Sequence, residues 1–259
     1  MVTSELRSAV VDLVREAGRA TMVYYDGTVA ADVREKDDRS PVTLADEVAH
    51  RILLDGLRRL DPATPVVSEE AEAAAFETRR GWRRFWLVDP LDGTKEFIKR
   101  NGQFTVNIAL IREGRPLAGV VLAPAIQQLY YALEGHGAFK IDAGGATSRL
   151  EPASKTNGDR LVIAGSLSHP TPEMDAFVAE QRRKYKQVEF LPMGSSLKIC
   201  LVAEGAADLY PRFGPTMEWD TAAAHAVARE AGRKVVAHGT TQELPYNKQS
   251  LLNGWFVVS

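Results

Sequence analysis

The 259-residue sequence predicts a mixed fold with an α+β first half and an α/β second half. Two amphipathic segments with helical periodicity come first, and a run of short strands separated by hairpin-type breaks follows them. In the second half, apolar strand-like segments alternate with helical ones, which is typical of α/β proteins. We therefore expect two domains, residues 1–145 and 146–259, joined within the Gly-, Ala- and Ser-rich stretch 142–160.

Two helices are predicted at the start of the chain. Between Leu6 and Tyr24, apolar residues recur at three- and four-residue steps, which indicates an amphipathic helix. A second helix is expected from Thr43 to Leu60, because Thr43 followed by Asp46 resembles a helix-capping pattern. Asp46 then has two interpretations: it complements the helix dipole, or it is an acid directed at a metal-bound water.

The strands of the first half are expected to form an antiparallel meander packed on these two helices. A short strand at 65–68 precedes Glu69 and Glu70, and the Ala- and Glu-rich stretch that follows is predicted to be helical as far as Thr78. Gly- and Pro-containing breaks separate the later strands. These later strands are predicted at 104–111, 117–123, 128–133 and 138–141.

Elements alternate in the second half of the chain. Strands are predicted there at 161–164, 188–191, 207–210, 234–236 and 255–258. Helices are predicted at 171–184, at 195–204 and within 216–231. Asp220 stands at the start of the last helix, ahead of a run of strong helix formers.

The stretch from Phe85 to Thr94 carries the clearest chemical signal. An apolar strand ends there on Asp89-Pro90-Leu91-Asp92-Gly93-Thr94. Two carboxylates three residues apart at the end of a buried strand need partners, and a hard divalent cation is the commonest partner for such a cluster. Read alone, Asp89 and Asp92 could also be ordinary turn residues, because Asp is favoured in turns.

Two further acidic segments lie beside a strand end or a helix start. Glu69-Glu70 follows the strand at 65–68, and Asp220 begins the last predicted helix. Mg²⁺ prefers oxygen ligands, and two such ions can activate a water and stabilise the leaving oxygen of an in-line displacement. Helix starts after Thr94 and Asp220 would offer N–H groups to phosphate oxygens. The acids that together supply enough oxygen ligands are Asp46, Glu69, Asp89, Asp92 and Asp220.

Composition excludes several classes of protein. Apolar residues make up 45% and charged residues 25%, so a globular core is expected. A net charge of −2 without blocks of like charge argues against a nucleic-acid polymer as partner. The single cysteine, Cys200, excludes an intrachain disulfide, and no run reaches the ~20 apolar residues of a membrane span. We expect a cytoplasmic protein, either monomer or homodimer, and leave open its attachment to the cytoplasmic face of the inner membrane.

Two motifs carry a family resemblance that covers essentially the whole chain. They are the Asp89–Thr94 turn and Trp219-Asp220-Thr221-Ala222-Ala223, with Glu69-Glu70 ahead of both. With these motifs the chain resembles the magnesium-dependent, lithium-sensitive phosphatases that include inositol monophosphatases and fructose-1,6-bisphosphatases. Within that superfamily it resembles the bacterial 3'(2'),5'-bisphosphate nucleotidases, which share Lys95-Glu96-Phe97, whereas inositol monophosphatases more often read Thr-Asn-Phe there. The other matching stretches are 40–43, 86–94, 98–102, 194–198, 201–205 and 209–216.

The resemblance implies a layered α-β-α-β-α sandwich of the sugar and inositol phosphatase type, with a two-metal site. The implied ligands of one Mg²⁺ are Glu69, Asp89 and the backbone carbonyl of Leu91, and those of a second are Asp89, Asp92 and Asp220. Asp46 and Thr94, with Glu69, are implied to orient and deprotonate the attacking water. The first domain would then carry most metal ligands, and the second would complete the metal and substrate site.

The same resemblance implies hydrolysis of adenosine 3',5'-bisphosphate to AMP and phosphate without a covalent enzyme intermediate. The backbone of Gly93 and Thr94 would hold the scissile phosphate. Ser166-Leu167-Ser168-His169 resembles a segment that contacts the nucleotide. Ser195, Lys198 and Arg212 lie where the family contacts the remainder of the nucleotide, including its 5'-phosphate. The implied substrate contacts are Glu69, Leu91, Asp92, Gly93, Thr94, Ser195, Lys198, Arg212 and Asp220.

Two alternatives remain open from the sequence. The first is an inositol monophosphatase or a sugar phosphatase with the same metal site, against which Lys95-Glu96-Phe97 and the segment 195–198 argue. The second is a non-catalytic nucleotide or metal sensor that keeps the fold. All five acids and Thr94 are present, which argues against the sensor, because a sensor needs no water-activating pair.

Overall fold

The computed structural model describes residues 4–28, 34–35, 41–151, 159–166 and 171–259 of the chain. Its helices are α1 (Ser4–Tyr25), α2 (Leu44–Leu60), α3 (Phe76–Arg79), α4 (Thr94–Ile98), α5 (Pro172–Gln181), α6 (Leu197–Ala203) and α7 (Glu218–Glu230). Its strands are β1 (Arg34–Glu35), β2 (Pro41–Val42), β3 (Val66–Ser68), β4 (Arg84–Asp92), β5 (Thr105–Arg112), β6 (Arg115–Ala123), β7 (Gln128–Leu133), β8 (Gly137–Ile141), β9 (Thr147–Leu150), β10 (Arg160–Gly165), β11 (Gln187–Pro192), β12 (Tyr210–Arg212), β13 (Val235–Ala237) and β14 (Phe256–Val258). A short 3-10 helix, Pro124–Ile126, connects β6 to β7.

The first sheet has seven strands in the order β3-β4-β5-β6-β7-β8-β9. Strand β3 is parallel to β4, and every other neighbouring pair is antiparallel. The helices α1 and α2 pack on one face, where Val14 and Leu53 join Trp86 and Ile108 in one buried apolar cluster. This arrangement confirms the predicted antiparallel meander on two N-terminal helices.

A second β layer lies on the other side of α6 and α7. This layer contains a parallel pair, β10 and β11, and a three-stranded antiparallel sheet in the order β12-β14-β13. An isolated parallel bridge joins β10 to the residue before β12. Val162 and Ala164 face α6 and α7 in the largest apolar cluster, whereas Met174 of α5 lies against Gly165 on the opposite face. The five layers form the expected α-β-α-β-α sandwich.

Helix α7 lies directly on the first sheet because small residues form both surfaces. Ala222, Ala223 and Ala224 are buried, and Gly119 of β6 lies opposite Ala223. A Cβ atom added to Gly119 would lie 2.2 Å from the carbonyl oxygen of Ala223, a distance that real Cβ atoms do not adopt. Glycine at position 119 therefore permits the close approach of α7, the helix that carries Asp220.

Gly119→Ala is expected to destabilise the fold and to displace α7. Overpacking of this kind typically costs about 1–3 kcal/mol, and the clashing atoms of Ala223 are backbone atoms that cannot rotate away. Urea unfolding would show the loss as a lower midpoint with an unchanged slope. Gly254→Ala is the control, because a Cβ atom at Gly254 would meet nothing within 4 Å. If Gly119→Ala unfolded at the same urea concentration as the wild type, the close approach of α7 to β6 at Gly119 would be contradicted.

The stretch after β3 corrects one sequence-based prediction. Residues 69–75 are not helical, and only Phe76–Arg79 forms a short helix. The Ala and Glu residues of this stretch favour a helix, but tertiary contacts override that preference. The carbonyl of Ala74 accepts a hydrogen bond from the Arg79 side chain instead of from a helical N–H.

Two strands also differ from the prediction. Strand β9 was not predicted, since its side chains are mostly polar and exposed; it forms by backbone pairing with the edge strand β8. Strand β12 begins at Tyr210 rather than at Ala207, whose N–H bonds to the Leu201 carbonyl near the end of α6. The division into domains at 145/146 stays a prediction, and residues 152–158 of the expected junction lie outside the described residues. No helix in the described part of the chain is long and apolar enough to cross a membrane.

A buried histidine of α7 makes the fold sensitive to acid. His225 is fully buried, with Nδ1 2.9 Å from the Tyr246 hydroxyl and with no hydrogen-bond partner for Nε2 among the described residues. Burial first, and the charge of Arg229 second, lower the pKa of His225 from 6.5 to about 3. The unfolded chain therefore binds a proton below pH 6.5 that the folded protein excludes. This contribution to stability is intact above pH 6.5 and is lost as the pH falls towards 3.

His225→Gln is expected to make the free energy of unfolding less dependent on pH, although it lowers stability at neutral pH by disturbing the contact with Tyr246. At about pH 4.5, two pKa units below the unfolded value, His225 should lower the free energy of unfolding of the wild type by about 2–3 kcal/mol relative to neutral pH. Each pKa unit corresponds to about 1.36 kcal/mol. Urea unfolding between about pH 7 and pH 4.5 measures the slope. The exposed His136 provides His136→Gln as the control variant for the loss of a histidine. An equally steep slope for His225→Gln would show that other groups cause the acid sensitivity.

Candidate active site

The predicted turn lies at the end of β4. This strand pairs with β5 as far as Asp89 and again at Asp92, and the register shifts between these two residues. The shift is a bulge that takes Leu91 out of the regular ladder. Within it, Asp89 Oδ1 accepts a hydrogen bond of 3.1 Å from the Leu91 N–H. Gly93 follows with φ +93°, a left-handed conformation that favours glycine and turns the chain into α4.

One cleft of about 270 Å³ brings the predicted site residues together. Its acids come from four places in the chain: Glu69 after β3, Asp89 and Asp92 in β4, Glu96 in α4, and Asp220 in the first turn of α7. The predicted residues that line the cleft are Glu69, Asp89, Leu91, Asp92, Gly93, Thr94, Ser195, Lys198, Arg212 and Asp220. Ser166 also lines it, whereas residues 167–169, including His169, lie outside the described residues.

Asp46 takes part in the cap of α2 and also contacts Thr94 at the edge of the cleft. Its Oδ2 accepts hydrogen bonds from the Thr43 N–H at 2.8 Å and from Thr43 Oγ1 at 2.6 Å, which confirms the capping pattern. Its Oδ1 lies 3.5 Å from Thr94 Oγ1, which lines the cleft. Burial raises the pKa of Asp46 to about 7, although the Thr43 hydrogen bonds oppose this shift. The two interpretations of Asp46 are therefore compatible.

Burial and mutual repulsion raise the pKa values of the clustered acids. For Asp89 and Asp220 burial is the larger cause and the charges of neighbouring acids add to it, so both pKa values lie well above 3.8. Burial also raises the pKa of Asp92 to about 6, against the charge of Lys198 and the hydrogen bond from the Ser196 N–H. A bound cation would stabilise the ionised carboxylates by offsetting this repulsion.

The chemistry of this acid cluster suits a hard divalent cation. Asp89 Oδ2 is buried and accepts no hydrogen bond from the described residues, although a buried acceptor normally has a partner. The neighbouring charges that act on Asp89 are the carboxylates of Glu69, Asp92 and Asp220, and carboxylate oxygens are ligands that Mg²⁺ prefers. Among the described acids, histidines and cysteines, no three side chains already converge on one point. Binding an ion therefore requires these carboxylates to turn towards it.

Three residues that the sequence analysis did not single out hold Asp92 in place. Asp92 Oδ2 accepts hydrogen bonds from the Ser196 N–H at 2.5 Å, from Thr105 Oγ1 at 3.4 Å and from Asn107 Nδ2 at 3.5 Å. Ser196 Oγ lies 2.9 Å from Thr105 Oγ1 and donates to Asn107 Oδ1 at 3.0 Å. Ser195 precedes it with φ +50°, a strained conformation for a residue with a side chain. The available sequence signal was Asn107, because an amide in an apolar strand needs a polar partner.

Two cationic side chains complete the cleft. Lys198 is buried, donates to the Ser195 carbonyl at 2.6 Å and lies 5.4 Å from the centre of the Tyr210 ring. Burial lowers the pKa of Lys198 to about 8, while the charge of Asp92 opposes this shift. Arg212 donates from Nη2 to the Pro215 carbonyl at 2.9 Å, but its buried Nε has no partner in the described part of the chain. An ammonium group and an unpaired guanidinium N–H suit an anionic ligand such as phosphate.

Sequence comparisons place the chain among known phosphatases. The model of the inositol monophosphatase family matches residues 3–254. The 3'(2'),5'-bisphosphate nucleotidase CysQ of Escherichia coli is 50% identical over 251 residues, which cover 96% of this chain and 98% of that protein. The 3'(2'),5'-bisphosphate nucleotidase CysQ of Haemophilus influenzae is 36% identical over 265 residues, which cover 99% of this chain and 93% of that protein.

Solved structures agree with the sequence comparisons. The crystal structure of CysQ from Bacteroides thetaiotaomicron has a TM-score of 0.87 and 44% identity, and the match covers 97% of this chain and 96% of that one. That structure is described as a bacterial member of the inositol monophosphatase family. The IMPase of Thermotoga maritima, with a TM-score of 0.80, 24% identity and coverage of 99% and 92%, shows likeness of fold alone. From the family match and these relatives, the chain belongs to the inositol monophosphatase family.

Proposed function

We propose that the protein is a Mg²⁺-dependent phosphatase that converts adenosine 3',5'-bisphosphate to AMP and phosphate. The observation that carries this proposal is a single cleft that brings together the carboxylates of Glu69, Asp89, Asp92 and Asp220, Thr94 in contact with Asp46, and the cationic side chains of Lys198 and Arg212. The relatives from Escherichia coli and Haemophilus influenzae, 50% and 36% identical, are named for 3'(2'),5'-bisphosphate nucleotidase activity. A cytoplasmic location is part of the proposal, and the buried free thiol of Cys200 is compatible with a reducing compartment.

Metal dependence is general for this family, and the donor set of the cleft suits Mg²⁺. The proposed ligands of one ion are Glu69, Asp89 and the Leu91 carbonyl, and those of a second ion are Asp89, Asp92 and Asp220. When bound, the ions supply a water of lowered pKa and stabilise the departing oxygen. The protein holds the ligands in place: Leu91 N–H bonds to Asp89, and Ser196 N–H bonds to Asp92.

Asp46 and Thr94 are proposed to prepare the attacking water. Thr94 Oγ1 donates towards Asp46 Oδ1, so the oxygen of Thr94 can accept a proton from a water in the cleft while its own proton passes to Asp46. The two hydrogen bonds from Thr43 hold the other oxygen of Asp46 and fix the direction of Oδ1. General-base catalysis of this kind typically contributes about 10²–10⁴-fold to the rate.

The cationic residues support a substrate with two phosphate groups. The backbone of Gly93 and Thr94 is proposed to hold the scissile phosphate beside the carboxylates. Lys198 and Arg212, with Ser195, are proposed to bind the remainder of the nucleotide and its 5'-phosphate. A pKa of about 8 keeps Lys198 largely protonated at neutral pH, and arginine is always charged. A monophosphate such as inositol 1-phosphate would leave the buried Nε of Arg212 without an acceptor.

Phosphate release from three substrates at one fixed Mg²⁺ concentration tests this assignment. Adenosine 3',5'-bisphosphate is expected to give the highest kcat/KM, ahead of inositol 1-phosphate and fructose 1,6-bisphosphate. Equal values for all three would defeat the nucleotide assignment in favour of a broad inositol or sugar phosphatase. If none of the three substrates releases phosphate, the alternative of a non-catalytic nucleotide or metal sensor would be favoured.

Arg212→Met sharpens the comparison of substrates. It should raise KM for the bisphosphate nucleotide and leave KM for inositol 1-phosphate unchanged, because only the nucleotide carries a second phosphate. Arg84→Met is the control for the loss of an arginine, since Arg84 pairs with Asp61 and does not line the cleft. Equal effects of Arg212→Met on both substrates would assign Arg212 to the scissile phosphate instead.

A further inference from the structure

Arg79 is a buried arginine outside the cleft whose hydrogen bonds join two distant parts of the chain. It lies in α3 with 3% of its surface exposed. Its Nε donates to the Ala74 carbonyl at 2.8 Å and its Nη1 to Asn247 Oδ1 at 2.7 Å. In return, Asn247 Nδ2 donates to the Arg79 carbonyl at 2.8 Å. Further contacts of 3.3 and 3.4 Å reach the carbonyls of Lys248 and Gln249.

The loop that receives Arg79 is itself bound to the first residue of α7. Glu218 is completely buried, and its carboxylate accepts hydrogen bonds from the Asn247 N–H at 2.7 Å and from the Lys248 N–H at 3.0 Å. Lys248 Nζ forms an ion pair with Glu218 at 2.6 Å and donates to Asn253 Oδ1 at 3.0 Å. We call the connected residues Arg79, Asn247, Lys248 and Glu218 the brace.

The two ends of the brace belong to the two segments that carry Glu69 and Asp220, two of the proposed metal ligands. At one end, Glu218 stands two residues before Asp220 in the first turn of α7. At the other end, Arg79 donates a hydrogen bond to Ala74, near the end of the non-helical segment 69–75 that begins with Glu69. Backbone hydrogen bonds at the start of this segment run from the Glu69 N–H to Val88 and from the Ala71 N–H to Ser68.

Stability alone is a weak reason for the brace. Burying the charged groups of Arg79 and Glu218 has a desolvation cost that often equals or exceeds the gain from attraction between charges. The brace residues do not line the cleft, so they do not touch a ligand there. The brace does, however, set the spacing between two segments that are far apart in sequence and that present Glu69 and Asp220 to neighbouring ions of the proposed two-metal site.

We propose that Arg79 and Glu218 are positioning residues for the divalent-cation site, because the brace holds the segment of Glu69 at a set distance from Asp220. This inference rests on the proposed metal-dependent function. Without the brace, Glu69 and Asp220 remain present but are no longer pre-arranged, so the protein must order them when the ion binds. The loss therefore falls on Mg²⁺ affinity, while kcat at saturating Mg²⁺ stays close to the wild-type value.

The test uses two variants of the brace in the full chain. Arg79→Met removes the guanidinium, and Asn247→Gly removes only the amide that pairs with Arg79. Asn247 has φ +66°, which glycine adopts without strain, so this second variant is the milder one. Circular dichroism checks folding, and if Arg79→Met does not fold, Asn247→Gly decides the test. The matched control is Arg84→Met, since Arg84 also bonds to Asp61 and Thr64 without joining the brace.

Isothermal titration calorimetry of the metal-free proteins with Mg²⁺ is the main measurement. Both brace variants are expected to weaken binding by about 10-fold, the lower end of the range for residues that orient metal ligands. Amide hydrogen exchange in EDTA should become faster across residues 69–79 in the same variants. The Mg²⁺ concentration for half-maximal phosphate release should rise in parallel, with kcat retained.

Three outcomes would overturn a claim, and they can be told apart. Wild-type Mg²⁺ affinity in folded Asn247→Gly and Arg79→Met would reject the positioning role. An equal loss of affinity in Arg84→Met would also reject it, because the effect would then follow from reduced stability. If the wild-type protein itself bound no Mg²⁺, the proposed metal-dependent function would fail, and the inference about the brace would fail with it.

Discussion

Asp92→Asn is expected to lower kcat/KM for adenosine 3',5'-bisphosphate by about 10³-fold, which corresponds to about 4 kcal/mol of transition-state stabilisation. Asp92 Oδ2 is held by Ser196, Thr105 and Asn107, which leaves Oδ1 to face an ion. Asparagine has nearly the same shape and can accept the same hydrogen bonds, but it lacks the charge that a divalent cation requires. The loss should therefore fall on metal occupancy rather than on the fold.

Steady-state kinetics over a range of Mg²⁺ concentrations, together with thermal unfolding in EDTA, measures both effects of Asp92→Asn. The raised pKa of Asp92 means that its buried charge disfavours the folded state at neutral pH, so the metal-free variant should melt no lower than the wild type. Asp142→Asn is the control, because Asp142 is an exposed loop acid that accepts a hydrogen bond from the Gly144 N–H. Near-wild-type turnover at saturating Mg²⁺ would remove Asp92 from the proposed ligands.

Asp46→Asn is expected to lower kcat by about 10²–10⁴-fold and to leave Mg²⁺ affinity unchanged. Asparagine can occupy the same place between Thr43 and Thr94, but it cannot accept the proton of the attacking water. The variant weakens the cap of α2, because the Thr43 N–H and hydroxyl then meet a neutral acceptor. It also removes a buried charge that disfavours the folded state at neutral pH, as the raised pKa of Asp46 shows, so the variant should unfold no more easily than the wild type.

The contrast with Asp92→Asn makes the role of Asp46 testable. Calorimetric titration with Mg²⁺ should give wild-type affinity for Asp46→Asn and a strongly reduced affinity for Asp92→Asn. Glu47→Gln is the neighbouring control, because Glu47 lies in the same first turn of α2 and pairs with Arg34 on the surface. A wild-type kcat in Asp46→Asn would restrict Asp46 to its capping role.

Elements with a strong local pattern could be predicted from the sequence. The amphipathic periodicity of α1 and the hairpin breaks of the meander depend on neighbouring residues only, and both predictions are confirmed. The stretch 71–75 was wrongly predicted as helical because its Ala and Glu residues carry a helical preference, while a distant contact through Arg79 decides its conformation. Strand β9 was missed because an edge strand can form through backbone pairing alone.

The acidic residues of the candidate site were easier to predict than the groups that hold them. Asp89 and Asp92 share one turn, and a buried carboxylate is costly enough to be noticed in a sequence. Thr105, Asn107 and Ser196 act only through contacts with Asp92, and Ser196 approaches it from the other half of the chain. No pattern among neighbouring residues predicts a contact between two positions so far apart in the sequence.

The sequence by itself determined the chemistry of the β4 turn and the cap of α2, because both follow from residues within a few positions of each other. The family resemblance predicted that Asp220 and Lys198, more than a hundred residues after Asp92, belong to the same site, but only the tertiary structure places all three side chains in one cleft. The close packing of α7 on Gly119 and the hydrogen bond from Ser196 to Asp92 help to bring these segments together. Such distances depend on how helices and sheets pack, and packing is a property of the whole chain.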